Sequence, residues 1–307
     1  MRRSGRRYRS GRATEHYDVI VIGSGIGGLS LAALMTKLGK RVCVLEQHYT
    51  AGGFTHSYER EGFEWDVGVH YIGEVHKPHS TLRRLFDVIS DGALKWAPMD
   101  PVYDRIIIGD RRVDFTAGRG SLADNLIAHF PAEEAAIRRY IELIDEAARS
   151  AQKFFAGQAM PRWLGRTYHA ARPLLVPKNC FRSVRDVLEE LTSNQELIGV
   201  LTGQWGDYGM VPRDASFLMH ATVVKHYFGG GSYPVGGSWM IPETIVPVIR
   251  AGGGEVFTYA KVEEIVIEQG RATGVRMANG DILRADQIVS SAGARVTFEQ
   301  LLPVALR

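Results

Sequence analysis

The apolar positions at the start of the chain follow the pattern of a βαβ unit. Residues 17–22 form an unbroken run rich in Val and Ile, which is typical of a strand buried in a parallel sheet. Residues 29–38 have the composition of a helix, and residues 41–45 are a second β-branched run. The connections between these runs have the usual short lengths of α/β units. A parallel sheet with a covering helix is therefore predicted here.

The middle of the chain changes to a helical period. In residues 131–155 apolar side chains recur every three or four positions, which predicts a long amphipathic helix, and residues 186–201 predict another. Prolines and aromatic side chains are frequent around these segments. We interpret residues 76–235 as a separate domain, mixed but mostly helical, that would bind the substrate.

The pattern changes again at Pro234 and predicts a loop, a short helix, a strand and then a β-meander. Asn279-Gly280 is a strong signal for a hairpin with a two-residue loop within the meander. A last strand at residues 287–291 could return to the first sheet. The predicted fold class is therefore α/β, with a Rossmann-like domain formed by residues 16–75 and 236–307 and interrupted by the helical insertion.

Composition narrows the class of protein. The chain has 307 residues, of which 45% are hydrophobic and 23% charged, and its formal net charge is +3. These values are ordinary for a soluble protein, and with no recognisable nucleic-acid motif they give no reason to expect a nucleic-acid partner. Two cysteines, Cys43 and Cys180, do not suggest a disulfide framework, so a reducing, cytoplasmic location is expected. The sequence does not indicate an oligomeric state.

Residues 1–15 are rich in arginine, and two interpretations stay open. The favoured one is a flexible, solvated tail. The alternative is a tether to anionic lipid head groups, which would place the protein at a membrane periphery. A signal peptide is rejected because glycines interrupt the following apolar run and no small-residue cleavage site follows it. That run is also shorter than the roughly 20 apolar residues of a spanning helix.

A glycine-rich turn joins the first predicted strand to the first predicted helix. Gly23, Gly25 and Gly28 match the Gly-x-Gly-x-x-Gly fingerprint in the strand–helix context that it requires. The first glycine permits a tight turn, the second lets a pyrophosphate approach the backbone, and the third lets the helix pack on the strand. Glu46 ends the second strand, where its carboxylate can bind a ribose diol and would repel a 2′-phosphate. The pattern predicts a dinucleotide, with NAD and FAD both open and NADP disfavoured.

Four segments resemble the flavoprotein family of phytoene desaturases, carotenoid isomerases and retinol saturases. They are VIGSGIGGLS, GKRVCVLEQHYTAGG, GFEWDVGVHYIGE and YPVGGSWMIPETIVPVIRAGGGEV, and the likeness is thin between about residues 80 and 215. The resemblance implies FAD as the cofactor and an FAD-binding domain of the amine-oxidase type. Carried onto this sequence, it implies a cofactor site made of Gly23, Gly25, Ile26, Gly28, Glu46, Gly52, Gly53, Val262, Ala292 and Gly293.

The same resemblance implies an FAD-dependent oxidoreductase that acts on carbon–carbon bonds of an apolar polyene or isoprenoid. The alternatives are a flavin-dependent carotenoid isomerase, an amine oxidase, and a truncated, catalytically silent nucleotide-binding protein. Family members are longer, so a chain that retains flavin poorly is also expected.

Two residues are candidates for catalysis. His70 and Tyr71 lie in a family-like segment and would face the flavin or the substrate, although a half-buried structural pair is an equal alternative. No metal site is expected around His70, His76 and His79, because no ligand spacing accompanies them.

Overall fold

A computed structural model describes residues 2–14, 16–68, 71–158 and 160–306 of the chain. The chain divides into two compact units. One unit comprises Met1–Tyr71, Val75–Ala97 and Tyr233–Arg307, and the other comprises Ile72–Glu74 and Pro98–Ser232. We call them the α/β unit and the helical unit.

The strands of both units share the short lengths usual for globular domains. In chain order they are β1 (Arg6–Arg7), β2 (His16–Ile22), β3 (Val42–Leu45), β4 (Ser57–Arg60), β5 (Phe63–Asp66), β6 (Ile72–Gly73), β7 (Trp96–Pro98), β8 (Val102–Ile108), β9 (Arg111–Thr116), β10 (Gly231–Pro234), β11 (Glu255–Thr258), β12 (Val262–Glu268), β13 (Arg271–Met277) and β14 (Ile282–Ser290).

The α-helices vary from one turn to seven. They are α1 (Ile26–Lys37), α2 (Thr81–Ile89), α3 (Arg119–His129), α4 (Glu134–Gln158), α5 (Arg162–Leu175), α6 (Val184–Leu191), α7 (Gln195–Leu201), α8 (Phe217–His226), α9 (Met240–Ala251) and α10 (Ala294–Val296). A π-turn follows at Thr297–Leu301, and short 3-10 segments occupy Gly53–Thr55, Pro131–Glu133, Lys178–Phe181, Gly203–Asp207, Tyr227–Gly229 and Val304–Leu306. Among the described residues, none of the helices has the length and apolar character needed to cross a bilayer.

The α/β unit is built on one sheet with the strand order β1-β11-β3-β2-β14-β13-β12. The strands from β1 to β14 in this order are parallel, and β13 and β12 continue the sheet antiparallel. Every residue of β3 is buried, as expected for a central parallel strand. Helix α1 connects β2 to β3 and packs against α9. This is the predicted βαβ unit of a Rossmann-like fold.

Strand β14 joins the meander to the parallel sheet. Its first part pairs antiparallel with β13 and the rest pairs parallel with β2, for example Ile282 with Arg276 and Ile288 with Ile20. The last strand predicted at residues 287–291 and the strand before it are therefore one element. The hairpin that leads into it has three loop residues instead of two, since the Met277 N–H donates to the Asp281 carbonyl.

The amino-terminal segment differs from the flexible tail predicted for it. Strand β1 adds to the sheet edge, and the Tyr8 N–H donates to the Thr258 carbonyl at 2.8 Å. The Tyr8 ring is buried edge-on against Phe257, with centroids 5.4 Å apart, and its hydroxyl donates to the Asp281 carboxylate at 2.7 Å. The arginine-rich composition does not predict these contacts, because they are made by the Tyr8 side chain and by the backbone.

The helical unit centres on α4, which packs against α3, α5 and α8, and it also holds the β8–β9 hairpin. The helix predicted at residues 131–155 begins with a 3-10 turn and continues as α4 to Gln158. The single helix predicted at residues 186–201 is wrong, since Thr192 has extended backbone and separates α6 from α7. The Asn194 side chain caps α7 by accepting from the N–H groups of Glu196 and Leu197.

Two buried polar groups of the helical unit have partners inside it. His220 is fully buried between two tyrosines, with Nε2 at 3.0 Å from the Tyr140 hydroxyl and Nδ1 at 3.2 Å from the Tyr208 hydroxyl. The Asp145 carboxylate, also buried, is 3.1 Å from the Arg119 guanidinium. Lys225 is 2.6 Å from its other oxygen. Such groups need partners because water cannot reach them.

Candidate functional site

A cavity of about 740 Å³ opens in the α/β unit where β2 and β3 end and α1 begins. Ligands of open α/β sheets bind in this position, beyond the carboxyl ends of the parallel strands. Its size falls within the range of about 300–1,000 Å³ that is usual for cofactor pockets. Of the residues predicted for the cofactor site, the cavity is lined by Gly23, Gly25, Ile26, Glu46, Gly52, Gly53, Val262 and Ala292.

The three fingerprint glycines meet different requirements. Gly23 has a φ of +96°, which a residue with a side chain rarely adopts. A Cβ at Gly28 would lie 2.2 Å from the Gly23 carbonyl oxygen, so this glycine lets α1 pack on the turn. A Cβ at Gly25 would meet nothing within 4 Å. The bare backbone of Gly25 therefore faces open space, while Gly28 serves the packing of the protein itself and does not line the cavity.

The start of α1 borders the cavity with backbone N–H groups. Gly25 is its N-cap and offers no side chain to accept from the first N–H groups, and the first turn contains no acidic residue. The first N–H groups of a helix have no partner within it and carry the positive end of its dipole. An anion beside Gly25 and Ile26 could accept from them, as the pyrophosphate of a dinucleotide does in this fold.

Glu46 is held at the cavity by its neighbours in the turn. Its Oε2 accepts from the Ser24 N–H at 3.0 Å and from the Ser24 hydroxyl at 2.6 Å, and its Oε1 accepts from the His48 N–H at 2.8 Å. An ionised carboxylate has about four acceptor positions. The three bonds orient the Glu46 carboxylate and leave it able to accept from a ligand hydroxyl such as a ribose diol.

The second glycine pair packs against the first turn. The Gly52 N–H donates to the Ser24 carbonyl at 3.1 Å, and a Cβ at Gly53 would lie 2.9 Å from the Gly25 Cα. Both glycines have positive φ, 122° and 56°. These two residues thus bring the segment after β3 into contact with the fingerprint turn, and both also line the cavity.

The remaining predicted residues are placed differently. Gly293 caps the short helix α10 and is not among the described lining residues, whereas its neighbour Ala292 is. Tyr71 is half-buried and does not line the cavity. His70 lies outside the described residues. The described part of the chain contains no group of three or more His, Cys, Asp or Glu side chains that could hold a metal ion.

Sequence reasoning missed several side chains at the cavity. Ser24 stands inside the fingerprint and anchors Glu46, which its small size and hydroxyl could have indicated. The imidazole rings of His48 and His56 lie 4.8 Å apart, and His56 Nδ1 is 2.6 Å from the Gly53 carbonyl. Both histidines are lining residues of the cavity, as is Ser291 just after β14. No spacing rule relates these positions, because they meet only when the chain folds.

Comparison with known proteins agrees with this geometry. Residues 21–89 match the family of NAD(P)-binding Rossmann-like domains. The chain is 40% identical to all-trans-retinol 13,14-reductase of Danio rerio and 36% identical to that of Homo sapiens, over 95% and 96% of its own length. It is 28% identical to prolycopene isomerase 2 of an Oncidium hybrid cultivar over 94% of its length. The chain spans about half the length of each of these relatives.

Solved structures with the same fold include amine oxidases. A putrescine oxidase bound to putrescine has a TM-score of 0.64 at 19% identity, covering 94% of this chain and 60% of the solved chain. Cyclohexylamine oxidase from Brevibacterium oxydans has a TM-score of 0.59 at 20% identity, with 93% and 60% covered. The chain therefore has a Rossmann-like fold of the same type as these amine oxidases, as predicted. Its resemblance to retinol 13,14-reductases and prolycopene isomerases, inferred from four segments, is confirmed.

Proposed function

We propose that the chain binds FAD in the 740 Å³ cavity and belongs to an oxidoreductase acting on carbon–carbon bonds of an apolar polyene or isoprenoid. The observation that carries the proposal is the 40% identity to a retinol 13,14-reductase over 95% of the chain. That relative is named for reduction of a carbon–carbon bond in a polyene alcohol. FAD would supply the hydride chemistry, and the protein would bind, orient and shield it.

The residues of the cavity fit a dinucleotide. The uncapped N–H groups at the start of α1 would donate to the pyrophosphate, and the bare Gly25 backbone would let it approach. The Glu46 carboxylate would accept from the adenosine ribose. Gly52 and Gly53 would border the flavin side, and the Val262 backbone would contact the adenine.

Ala292 and Gly293 are proposed to lie near the dinucleotide as well. His70 and Tyr71 are proposed as the residues that face the flavin or the substrate. An apolar substrate needs no charged partner at its reacting bond, so the protein would act there by positioning and by excluding water. Peripheral membrane association and a cytoplasmic location remain predictions of the sequence.

A second candidate function is a flavin-dependent isomerase. It is favoured by the 28% identity to prolycopene isomerases over 94% of the chain. The fold alone would also suit an amine oxidase, and a silent nucleotide-binding protein is the alternative outside enzymes.

The test is a titration of the purified protein with FAD, NAD and NADP, followed by flavin absorbance and calorimetry. Tightest binding of FAD supports the proposal, and tighter binding of NADP contradicts it. Photoreduced flavin in the complex is then mixed with retinol without oxygen. Reoxidation with loss of one double bond supports a reductase, rearrangement without net reoxidation supports an isomerase, and no change of either kind supports the silent alternative.

A further inference from the structure

A second cavity, of about 220 Å³, lies in the α/β unit beside the amino-terminal segment. Its lining comes from the end of β1, from the segment before β12 and from the β13–β14 loop. Alternate residues of one segment border the two cavities, since Ala260 and Val262 line the first and Tyr259 and Lys261 line the second. At this size it falls below the range of about 300–1,000 Å³ for drug-sized ligands and suits a small group.

The lining of this second cavity is strongly basic. Arg7, Arg9 and Lys261 border it, and no acidic side chain does so among the described residues. The Asp281 carboxylate does not line this cavity, and it accepts from the Tyr8 hydroxyl at 2.7 Å and from the Asn279 amide at 2.9 Å. Three cations at one small cavity repel one another unless an anion lies between them.

Two arginines of the same amino-terminal segment outside the cavity form ion pairs. The Arg2 guanidinium is 3.6 Å from Glu64 and that of Arg6 is 3.7 Å from Glu255. By contrast, the described residues provide no ion-pair partner for Arg9 or Lys261. Arg9 and Lys261 therefore carry charges at the cavity that no carboxylate of the described residues offsets.

Strand β1 directs one arginine into the cavity wall. Successive side chains of a strand point to opposite sides, so Arg6 reaches Glu255 while Arg7 lies over the Tyr259 ring, 4.6 Å from its centroid. The stacking occupies the flat face of the Arg7 guanidinium and leaves N–H groups at its edge. This edge can form the paired hydrogen bonds that guanidinium groups make with phosphate oxygens.

We propose that Arg7, Arg9 and Lys261 form a binding site for a phosphate group, separate from the dinucleotide cavity. A phosphate carries up to two negative charges and several acceptor oxygens, so it can accept hydrogen bonds from these cations and offset most of their charge. The group can belong to a free phosphate or to a lipid head group, and both present the same chemistry to the site. The proposal does not depend on the cofactor or the reaction proposed above.

The test compares the native chain with the double variant Arg9→Gln/Lys261→Gln. The matched control is Lys40→Gln/Arg271→Gln, which removes the same charge from two exposed positions of the α/β unit outside the cavity. Inorganic phosphate is titrated calorimetrically at constant ionic strength. Sedimentation with vesicles of phosphatidylcholine alone, or with phosphatidic acid added, measures binding to a lipid surface. Circular dichroism checks that each variant is folded, and Lys261→Glu replaces the double variant if that one is not.

We expect the cavity variant to weaken binding by about tenfold or more per lost cation, while the control stays within about twofold of native. Loss of inorganic phosphate binding in the cavity variant alone supports the site with free phosphate as the source. Binding only to vesicles that contain phosphatidic acid, with the same dependence on the variant, supports it with a lipid head group as the source. Equal losses in cavity variant and control, or no binding of either probe to the native chain, would overturn the proposal.

Discussion

The buried polar groups in the core of the helical unit have partners within the protein, whereas backbone groups at the cavity of the α/β unit are left open to a ligand. In the helical unit, His220 lies between two tyrosine hydroxyls and Asp145 between two cations, so these buried groups are satisfied within the protein. At the cavity, the start of α1 has no side-chain cap and Gly25 borders open space. Polar groups turned inward stabilise the fold, whereas those turned to a cavity are available to a ligand.

The fingerprint turn contains both kinds of position within six residues. Gly28 faces the protein and its missing side chain is a packing requirement, while Gly25 faces the cavity and its missing side chain leaves room for a ligand. Substitutions at the two glycines should therefore separate folding from binding.

The largest effect is expected for Gly28→Ala. The new Cβ would lie 2.2 Å from the Gly23 carbonyl oxygen, which is backbone and cannot move aside without distorting the turn. Overpacking usually costs about 1–3 kcal/mol, and we expect the upper end of this range or more. Urea unfolding measures the change. Gly120→Ala in α3 is the control, since its Cβ would meet nothing within 4 Å. An unchanged midpoint for Gly28→Ala would contradict the close approach of helix and turn.

Gly25→Val should abolish cofactor binding without unfolding the chain. The side chain would meet no protein atom within 4 Å of its Cβ, and the φ of −60° suits an L-residue, so the native unfolding midpoint is expected. It would occupy the space that the pyrophosphate needs. We expect FAD binding to weaken about a hundredfold or more, which corresponds to about 2.7 kcal/mol. Gly25→Ala should give an intermediate loss. Full FAD affinity in a folded Gly25→Val protein would place the dinucleotide elsewhere.

These glycines also show which features the sequence could predict. The strand, the turn, the helix and Glu46 follow one another within about thirty residues, and each has a local signal, so the sequence predicts β2, α1 and β3. The sequence also predicts a discontinuous sheet, because the meander leads into a last strand at residues 287–291 that could return to the first sheet, and β14 does pair with β2.

Long-range contacts had no such signal. The contact of Gly53 with Gly25, the pairing of β14 with both β13 and β2, and the addition of β1 to the sheet edge depend on residues distant in sequence. The break between α6 and α7 was missed because Thr192 and Asn194 interrupt a helical pattern only weakly by propensity. His70 and Tyr71 remain predictions, with His70 outside the described residues.

The helical unit should respond to pH through His220. Burial lowers the pKa of this imidazole from its ordinary value of 6.5 to about 3. Between these values the unfolded chain binds a proton that the folded chain does not, so stability is complete above about pH 6.5 and is lost as pH falls. From pH 7 to pH 5 the expected loss is about 2 kcal/mol, since the slope approaches about 1.4 kcal/mol per unit below the unfolded pKa.

The measurement is the unfolding free energy of the native chain and of His220→Gln at pH 7 and pH 5. The variant should lose less stability between the two conditions, although burial also lowers the pKa of His226, so some dependence will remain. His79→Gln, at an exposed position, is the control and should keep the native dependence. An identical dependence in His220→Gln would mean that burial does not lower the pKa of His220 in the folded chain.

The smallest effect is expected for Glu46→Gln. This substitution changes a carboxylate that lines the cavity but already accepts hydrogen bonds from the protein. The carboxylate accepts two bonds from Ser24 and one from His48, and an amide would set an NH₂ group against one of these donors. We expect FAD binding to weaken about tenfold, or about 1.4 kcal/mol, and NADP binding to weaken less because the charge that repels a 2′-phosphate is gone.

Calorimetry with both nucleotides measures the ratio of the affinity for FAD to the affinity for NADP. Glu263→Gln removes the same charge at an exposed position and should leave the ratio unchanged. If Glu46→Gln also leaves it unchanged, the Glu46 carboxylate does not face the ribose, and its bonds to the turn are its whole role.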